Sequence, residues 1–176
     1  MDMQAGGFGD LGQADTRRPA EGRRPLYTRA ERARRDASRW TIVQGVLAPL
    51  QLLAFAVSLV LVLRYLGSGE GIGAANASVL VKTSLLYAIM VTGSLWEKDV
   101  FGKYLFANAF FWEDVVSMFV IALHTAYVLA LVFGLLEPRA LIWLALLAYA
   151  TYVVNAAQFL LKFRSARLDR APGASR

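Results

Sequence analysis

The chain has 176 residues, 57% of them hydrophobic, and a formal net charge of +6. With no cysteine and one histidine, His124, it excludes disulfides, thiolate catalysis, Cys-ligated zinc or iron–sulfur centres, a bis-histidine haem and any multi-histidine metal site. The positive excess lies almost wholly in two tails that flank an apolar body, a pattern of membrane topology rather than of nucleic-acid binding.

In chain order, residues 1–37 form a polar, basic N-terminal tail in which Met1–Arg24 has the composition of disorder. No apolar core with a small-residue cleavage site follows closely, so this is not a signal peptide. Over residues 28–39 the string TRAERARRDASR holds good helix formers, and Thr28 with Glu31 fits a capping box, which predicts a short surface helix. The membrane domain, 38–167, then carries apolar segments at about 41–66, 74–96, 112–136 and 141–161. Each approaches or exceeds the ~20 residues needed to cross a hydrocarbon core of about 30 Å. Pro49 should kink the first. A polar GSGEGIG joins the first two segments, and Glu137-Pro138-Arg139 joins the last two. Such short links force antiparallel neighbours, so the expected fold is all-α, an integral membrane four-helix bundle running up-down-up-down. A second disordered tail is expected over 168–176. Lys and Arg crowd both tails and the link between spans two and three, where Lys98 and Lys103 stand, whereas the other two links hold only Arg139 between them. The positive-inside rule therefore puts both termini on the cytoplasmic side.

The link between spans two and three is richer than a connection requires. It packs Trp96, Phe101, Tyr104, Phe106, Phe110, Phe111 and Trp112 among Glu97, Lys98, Asp99, Lys103, Glu113 and Asp114. One reading is an aromatic belt at the interface. The other is a wall, with Trp112 in it, for a flat aromatic ligand entering from the cytoplasmic leaflet. Carboxyl groups among such rings are candidate proton donors.

Ionisable residues within the spans are functional candidates by default. At about 1.5 Å per residue, Lys82 lies about 22 Å and His124 about 18 Å from the cytoplasmic ends, so the two share a depth if their helices are neighbours. Glu113, Ser117, His124 and Tyr127 fall within about 40° of one helical face. Thr151, Asn155, Gln158 and Lys162 make a stripe on span four, as do Gln44, Gln51 and Ser58 on span one. For the glutamines and Asn155, hydrogen bonding between helices is the simpler reading. Lys82, His124 and Glu113 point to a site, because bundle packing does not require charge. No glycine-rich phosphate loop precedes a helix and no nucleophile–histidine–acid arrangement is present, which points away from nucleotide and serine-hydrolase chemistry.

The strings RRDASRWTIVQGVLAPLQ, VKTSLLYAIMVTGSLWEK, FGKYLFANAFFWEDVVSM, ALHTAYVLAL and YATYVVNAAQFLLKFRSAR resemble the small membrane hydratase family of bacteriochlorophyll biosynthesis, the 2-vinyl (or 3-vinyl) bacteriochlorophyllide hydratases. The likeness covers about Pro25 to Arg167, and Asp99 stands where the family pattern leads one to expect an apolar residue. It implies addition of water across the ring-A vinyl group of chlorophyllide a or of a vinyl bacteriochlorophyllide, giving a 1-hydroxyethyl group. That reaction needs no redox cofactor and no metal beyond the substrate's own magnesium. Glu113 is then the expected general acid, with Asp114 or Glu97 positioning or deprotonating the water. His124 is either an axial ligand to the pigment magnesium or an ordinary interior histidine. Lys82 joins the expected substrate-binding set, and Lys98 or Lys103 either pairs with the substrate propionate or is a solvated surface lysine. The expected partners are a chlorophyllide-type pigment, membrane lipid and other pigment-synthesis enzymes, not nucleic acid. A non-catalytic pigment carrier would explain the aromatic wall and His124 without the carboxyls. A small transporter would explain Lys82 and the seams, but no internal repeat or broken-helix pair supports it.

Overall fold

The computed structural model describes residues 26–168. The disorder expected of Met1–Arg24 and of the residues after Leu168 lies outside them. Within them the chain forms α1 (Arg29–Ala37), α2 (Arg39–Ser68), α3 (Ile72–Phe101), α4 (Phe111–Val132) and α5 (Pro138–Leu168), with no strand among the described residues.

Local chemistry sets the boundaries. Thr28 Oγ1 accepts from the Glu31 N–H at 3.2 Å and Glu31 Oε2 accepts from the Thr28 N–H at 2.7 Å, a reciprocal capping box that starts α1. Ser38 ends α1 and begins α2: its Oγ accepts from the Trp40 N–H at 3.3 Å and donates to Asp99 Oδ2 at 2.7 Å. That bond ties the α1–α2 corner to the end of α3 and gives the unexpected Asp99 a partner. α2 runs unbroken through Pro49. Gly69 and Gly71, at φ 74° and 84°, make the left-handed turn into α3.

α3 is longer than its apolar run predicts. It continues past Trp96 to Phe101, so Glu97, Lys98 and Asp99 belong to its last turns and not to a connection. Only Gly102 stops it, at φ 79° with its N–H bonded to the Lys98 carbonyl at 2.9 Å. α4, by contrast, ends four residues short of the expected position 136. Gly134 is left-handed at φ 61°, its N–H meets the Leu131 carbonyl and the Leu135 N–H meets the Ala130 carbonyl, a Schellman closure that cuts the apolar run early. α5 starts on Pro138, whose missing N–H costs nothing in a first turn.

Side-chain pairs fix the register. Gln44 bonds Thr92 at 2.7 Å and Ser58 meets Ser78 at 2.7 Å, so α2 and α3 run antiparallel. Tyr127 donates to Asn76 at 2.8 Å and Tyr87 meets Thr125 at 2.7 Å, linking α3 to α4. Buried Ala75, Ala130, Ala145 and Ala148 let the helices approach closely around Val62, Val79, Tyr127 and Ile142. The outer surface is apolar, with Ile42, Leu53, Val60, Phe119, Val132 and Leu160 all exposed. Helices α2 to α5 are each long and apolar enough to cross a membrane, and the protein is multi-pass.

Candidate functional site

The segment that joins α3 to α4 folds back over a group of carboxyls. Glu97 sits in the last turns of α3, and Glu113 and Asp114 occupy the first turn of α4, where the helix dipole favours acidic residues. All three are buried, at 5%, 7% and 4% exposure. Backbone N–H groups from the segment reach down to them: Phe106 donates to Asp114 Oδ2 at 2.7 Å and Ala107 to Glu97 Oε2 at 3.2 Å. Phe106 reaches this position with φ at 59°, a left-handed conformation that costs a residue with a side chain. Beneath the two backbone donors the carboxyls of Glu97 and Asp114 lie close enough to act on each other electrostatically.

One cation faces the three carboxyls. Lys162, near the end of α5, pairs with Glu113 through Oε2 and acts electrostatically on Glu97 and Asp114 as well. Its Nζ also lies 4.9 Å from the centre of the Phe110 ring. Asn155 and Ser117 hold the same corner from the backbone, donating to the Glu113 carbonyl at 2.9 Å and 2.8 Å. The arrangement thus separates two kinds of carboxyl. Glu113 is matched by an ammonium, whereas Glu97 and Asp114 are matched by each other, a contact that is attractive only when the pair holds a proton.

The aromatic residues divide. Trp96, Phe101 and Phe110 turn inward and pack with Tyr27, Phe159 and Phe163, and Phe110 is fully buried at their centre. Tyr104, Phe106, Phe111 and Trp112 face outward, Trp112 at 69% exposure. Part of the expected wall is therefore a solid plug behind the carboxyls, and Trp112 stands on the bundle exterior. Lys98 bonds the Tyr104 hydroxyl at 2.5 Å and is exposed, as is Lys103, so neither joins the carboxyl cluster.

A second polar group lies deeper. Lys82 Nζ meets His124 Nε2 at 2.6 Å, and both side chains are fully buried. His124 Nδ1 lies 2.7 Å from the Val120 carbonyl, which can only accept, so Nδ1 carries the proton and Nε2 accepts from Lys82. Lys82 further sits 4.1 Å from the ring centre of Tyr152 and 5.2 Å from that of Tyr149. The shared depth expected of Lys82 and His124 is met. Both His124 ring nitrogens have partners within the protein, Nδ1 with Val120 and Nε2 with Lys82. His124 follows Glu113 by eleven residues on one face of α4, about 16 Å along the axis, so this pair and the carboxyls are separate sites.

Among the described residues no group of three or more His, Asp or Glu is placed to hold a metal ion. Lys162 was visible beforehand only as the last member of the polar stripe on span four; its place opposite Glu113 required the packing of α4 on α5. The backbone donors of Phe106 and Ala107 leave no sequence signal, since any residue carries an N–H.

A family model described as 2-vinyl bacteriochlorophyllide hydratase matches residues 27–165. The 2-vinyl bacteriochlorophyllide hydratase of Cereibacter sphaeroides is 66% identical over 152 residues, covering 86% of this chain and 94% of the relative. That of Rhodobacter capsulatus is 65% identical over 150 residues, covering 85% and 86% respectively. No solved structure matches the chain.

Proposed function

The chain belongs to the 2-vinyl bacteriochlorophyllide hydratase family, and from that premise we propose how its carboxyl cluster adds water to a pigment. The protein is a membrane hydro-lyase of bacteriochlorophyll biosynthesis. Its substrate is a vinyl-bearing pigment, chlorophyllide a or a vinyl bacteriochlorophyllide, presented at the end of the bundle where α1, Glu97, Glu113 and Lys162 meet.

The division among the carboxyls carries the proposal: Glu97 and Asp114 sit together under the backbone donors of Ala107 and Phe106, while Glu113 pairs with Lys162. The proton shared by Glu97 and Asp114 goes to the terminal vinyl carbon as the C=C π pair forms the new C–H bond. The inner carbon becomes a cation, spread into the macrocycle and facing a carboxylate pair that has just gained a negative charge. Water attacks that inner carbon, and Glu113, paired with Lys162, takes the proton that water loses. The proton then returns from Glu113 to its sequence neighbour Asp114. Atoms balance: one water is added and the protein is restored. This exchanges the roles expected from sequence, where Glu113 was the acid, because Glu113 has the Lys162 ammonium beside it whereas Glu97 and Asp114 face each other. The Phe106–Ala107 backbone covers the pair and must lift for the vinyl group to reach it.

The same reading puts both termini and the carboxyl end on the cytoplasmic side of the bacterial inner membrane. Support comes from Arg29, Arg32, Arg34, Arg35 and Arg39 around α1, with Lys162 and Arg164 at the far end of α5, against Arg64 and Arg139 near the opposite turns.

The deciding test incubates detergent-solubilised protein with chlorophyllide a, and separately with the vinyl bacteriochlorophyllide, in water enriched in heavy oxygen. The expected product is heavier by one labelled water and is absent with heat-treated protein. Pigment that co-purifies unchanged would overturn the enzymatic reading in favour of a carrier.

A further inference from the structure

The apolar middle of the bundle holds polar groups that the hydration chemistry leaves unused. Lys82 bonds His124 at 2.6 Å and otherwise lies over the rings of Tyr152 and Tyr149. A lysine head group has more donors than that one bond occupies.

Two neighbours are also short of partners. Gln51 on α2 is 2% exposed, and neither its Nε2 nor its Oε1 meets a hydrogen-bonding group of the protein. Register places it. Gln44 bonds Thr92 and Ser58 meets Ser78, so Gln51, halfway between 44 and 58, stands level with residue 85 on α3, within one turn of Lys82. Phe55, one turn from Gln51 on the same face, packs on Tyr149 and Tyr152, the two rings that flank the lysine. Thr83 is likewise 2% exposed with Oγ1 unpartnered. It shares a helical face with Asn76 and Tyr87, both bonded to α4, and so flanks the Lys82–His124 pair from the opposite side.

Leaving such groups unpaired in an apolar interior costs about 1–3 kcal/mol each, and native proteins rarely carry that cost. Replacing the pair's surroundings by hydrocarbon would have been the cheaper solution. The Gln51 amide and the Lys82 ammonium, at one level of the bundle, supply the two polar contacts that a buried water needs, and Thr83 offers a further one on the α4 side.

We infer that the Lys82–His124 pair is a hydrated site: bound water bridges the Gln51 amide to Lys82, with the Thr83 hydroxyl as a further partner on the α4 side. The inference rests on burial and register and stands whether or not the carboxyls act as proposed.

X-ray radiolytic footprinting of the full chain in detergent, in heavy-oxygen water, reads bound water through the side chains beside it. Tyr149 and Tyr152 are buried, as is Phe110 in its aromatic cluster. With each rate normalised to the denatured chain, Tyr149 and Tyr152 are expected to take up labelled oxygen several-fold faster than Phe110. Uptake falls to the Phe110 level in a Gln51→Leu/Thr83→Val double variant. Equal protection of all three rings in the wild type would overturn the inference. Thermal unfolding of Gln51→Leu alone gives an independent reading: removing a truly unpaired amide raises Tm, whereas removing a water-bonded one lowers it. A raised Tm overturns the hydrated site.

Discussion

Removing Lys162 tests the electrostatic logic of the carboxyl cluster most directly. In Lys162→Met the aliphatic stem is retained and only the charge is lost. Glu113, 7% exposed, then keeps its burial without its cation, because Asn155 and Ser117 serve its backbone carbonyl and not its carboxylate. Breaking a buried ion pair by deleting one partner costs about 3–5 kcal/mol. The Lys162 side chain is 25% exposed, so solvent already screens part of the attraction. Discounting for that leaves roughly 2 kcal/mol. For a chain of this length that is a fall in Tm of roughly 4–8 °C. Intrinsic tryptophan fluorescence in detergent suits the assay, since the chain has no cysteine for a thiol dye. Adding Glu113→Gln to Lys162→Met should recover most of the loss, because the double variant buries no unmatched charge. A single variant within about 1 °C of wild type, or a double variant no better than the single, would refute the pairing.

Three further outcomes follow from other contacts. Glu97→Gln and Asp114→Asn should each slow hydration by about 10²- to 10⁴-fold while pigment affinity, read by fluorescence titration, changes little; an unchanged rate would remove that residue from the chemistry. At Phe106, φ 59°, a β-branched Phe106→Val should lower Tm more than Phe106→Gly, which relieves roughly 1–2 kcal/mol of left-handed strain and forfeits the ring contact with Phe111. The reverse order would mean that the segment does not hold this conformation in solution. His124→Asn should leave the visible absorption bands of protein-bound pigment unshifted, because both imidazole nitrogens are spent on Lys82 and Val120; a band shift would show His124 ligating the magnesium.

The four spans were legible because lipid demands long uninterrupted apolar runs, and the depth match of Lys82 with His124 followed from counting residues along them. Helix ends were less legible. Hydropathy stops at Trp96, yet a helix continues until something breaks it, and Gly102 is the first breaker. Gly134 shortened α4 for the opposite reason: it lies inside an apolar run that hydropathy counts as span. At the site, Glu97, Glu113 and Asp114 stood out as acidic residues among rings. Their roles did not, since proton donor and acceptor differ only in which group faces Lys162, and that is decided by how α5 packs on α4. An aromatic such as Trp112 reads alike from sequence whether it lines a site or faces lipid.

The polar pairs that join α3 to α4 carry a consequence for biogenesis. α2 packs on α3 and α4 on α5 through extensive interfaces, whereas α3 and α4 meet mainly through Asn76–Tyr127, Lys82–His124, Tyr87–Thr125 and Glu97–Asp114. Interhelical hydrogen bonds in a bilayer are individually worth about 0.6–2 kcal/mol, so the two halves are held together by these few bonds and by the packing of α2 on α5, where Ser58 meets Tyr149. A bundle whose halves have not met leaves Lys82 and His124 without each other in an apolar surrounding, so the pair that sits in the finished core also sets the cost of an unfinished one.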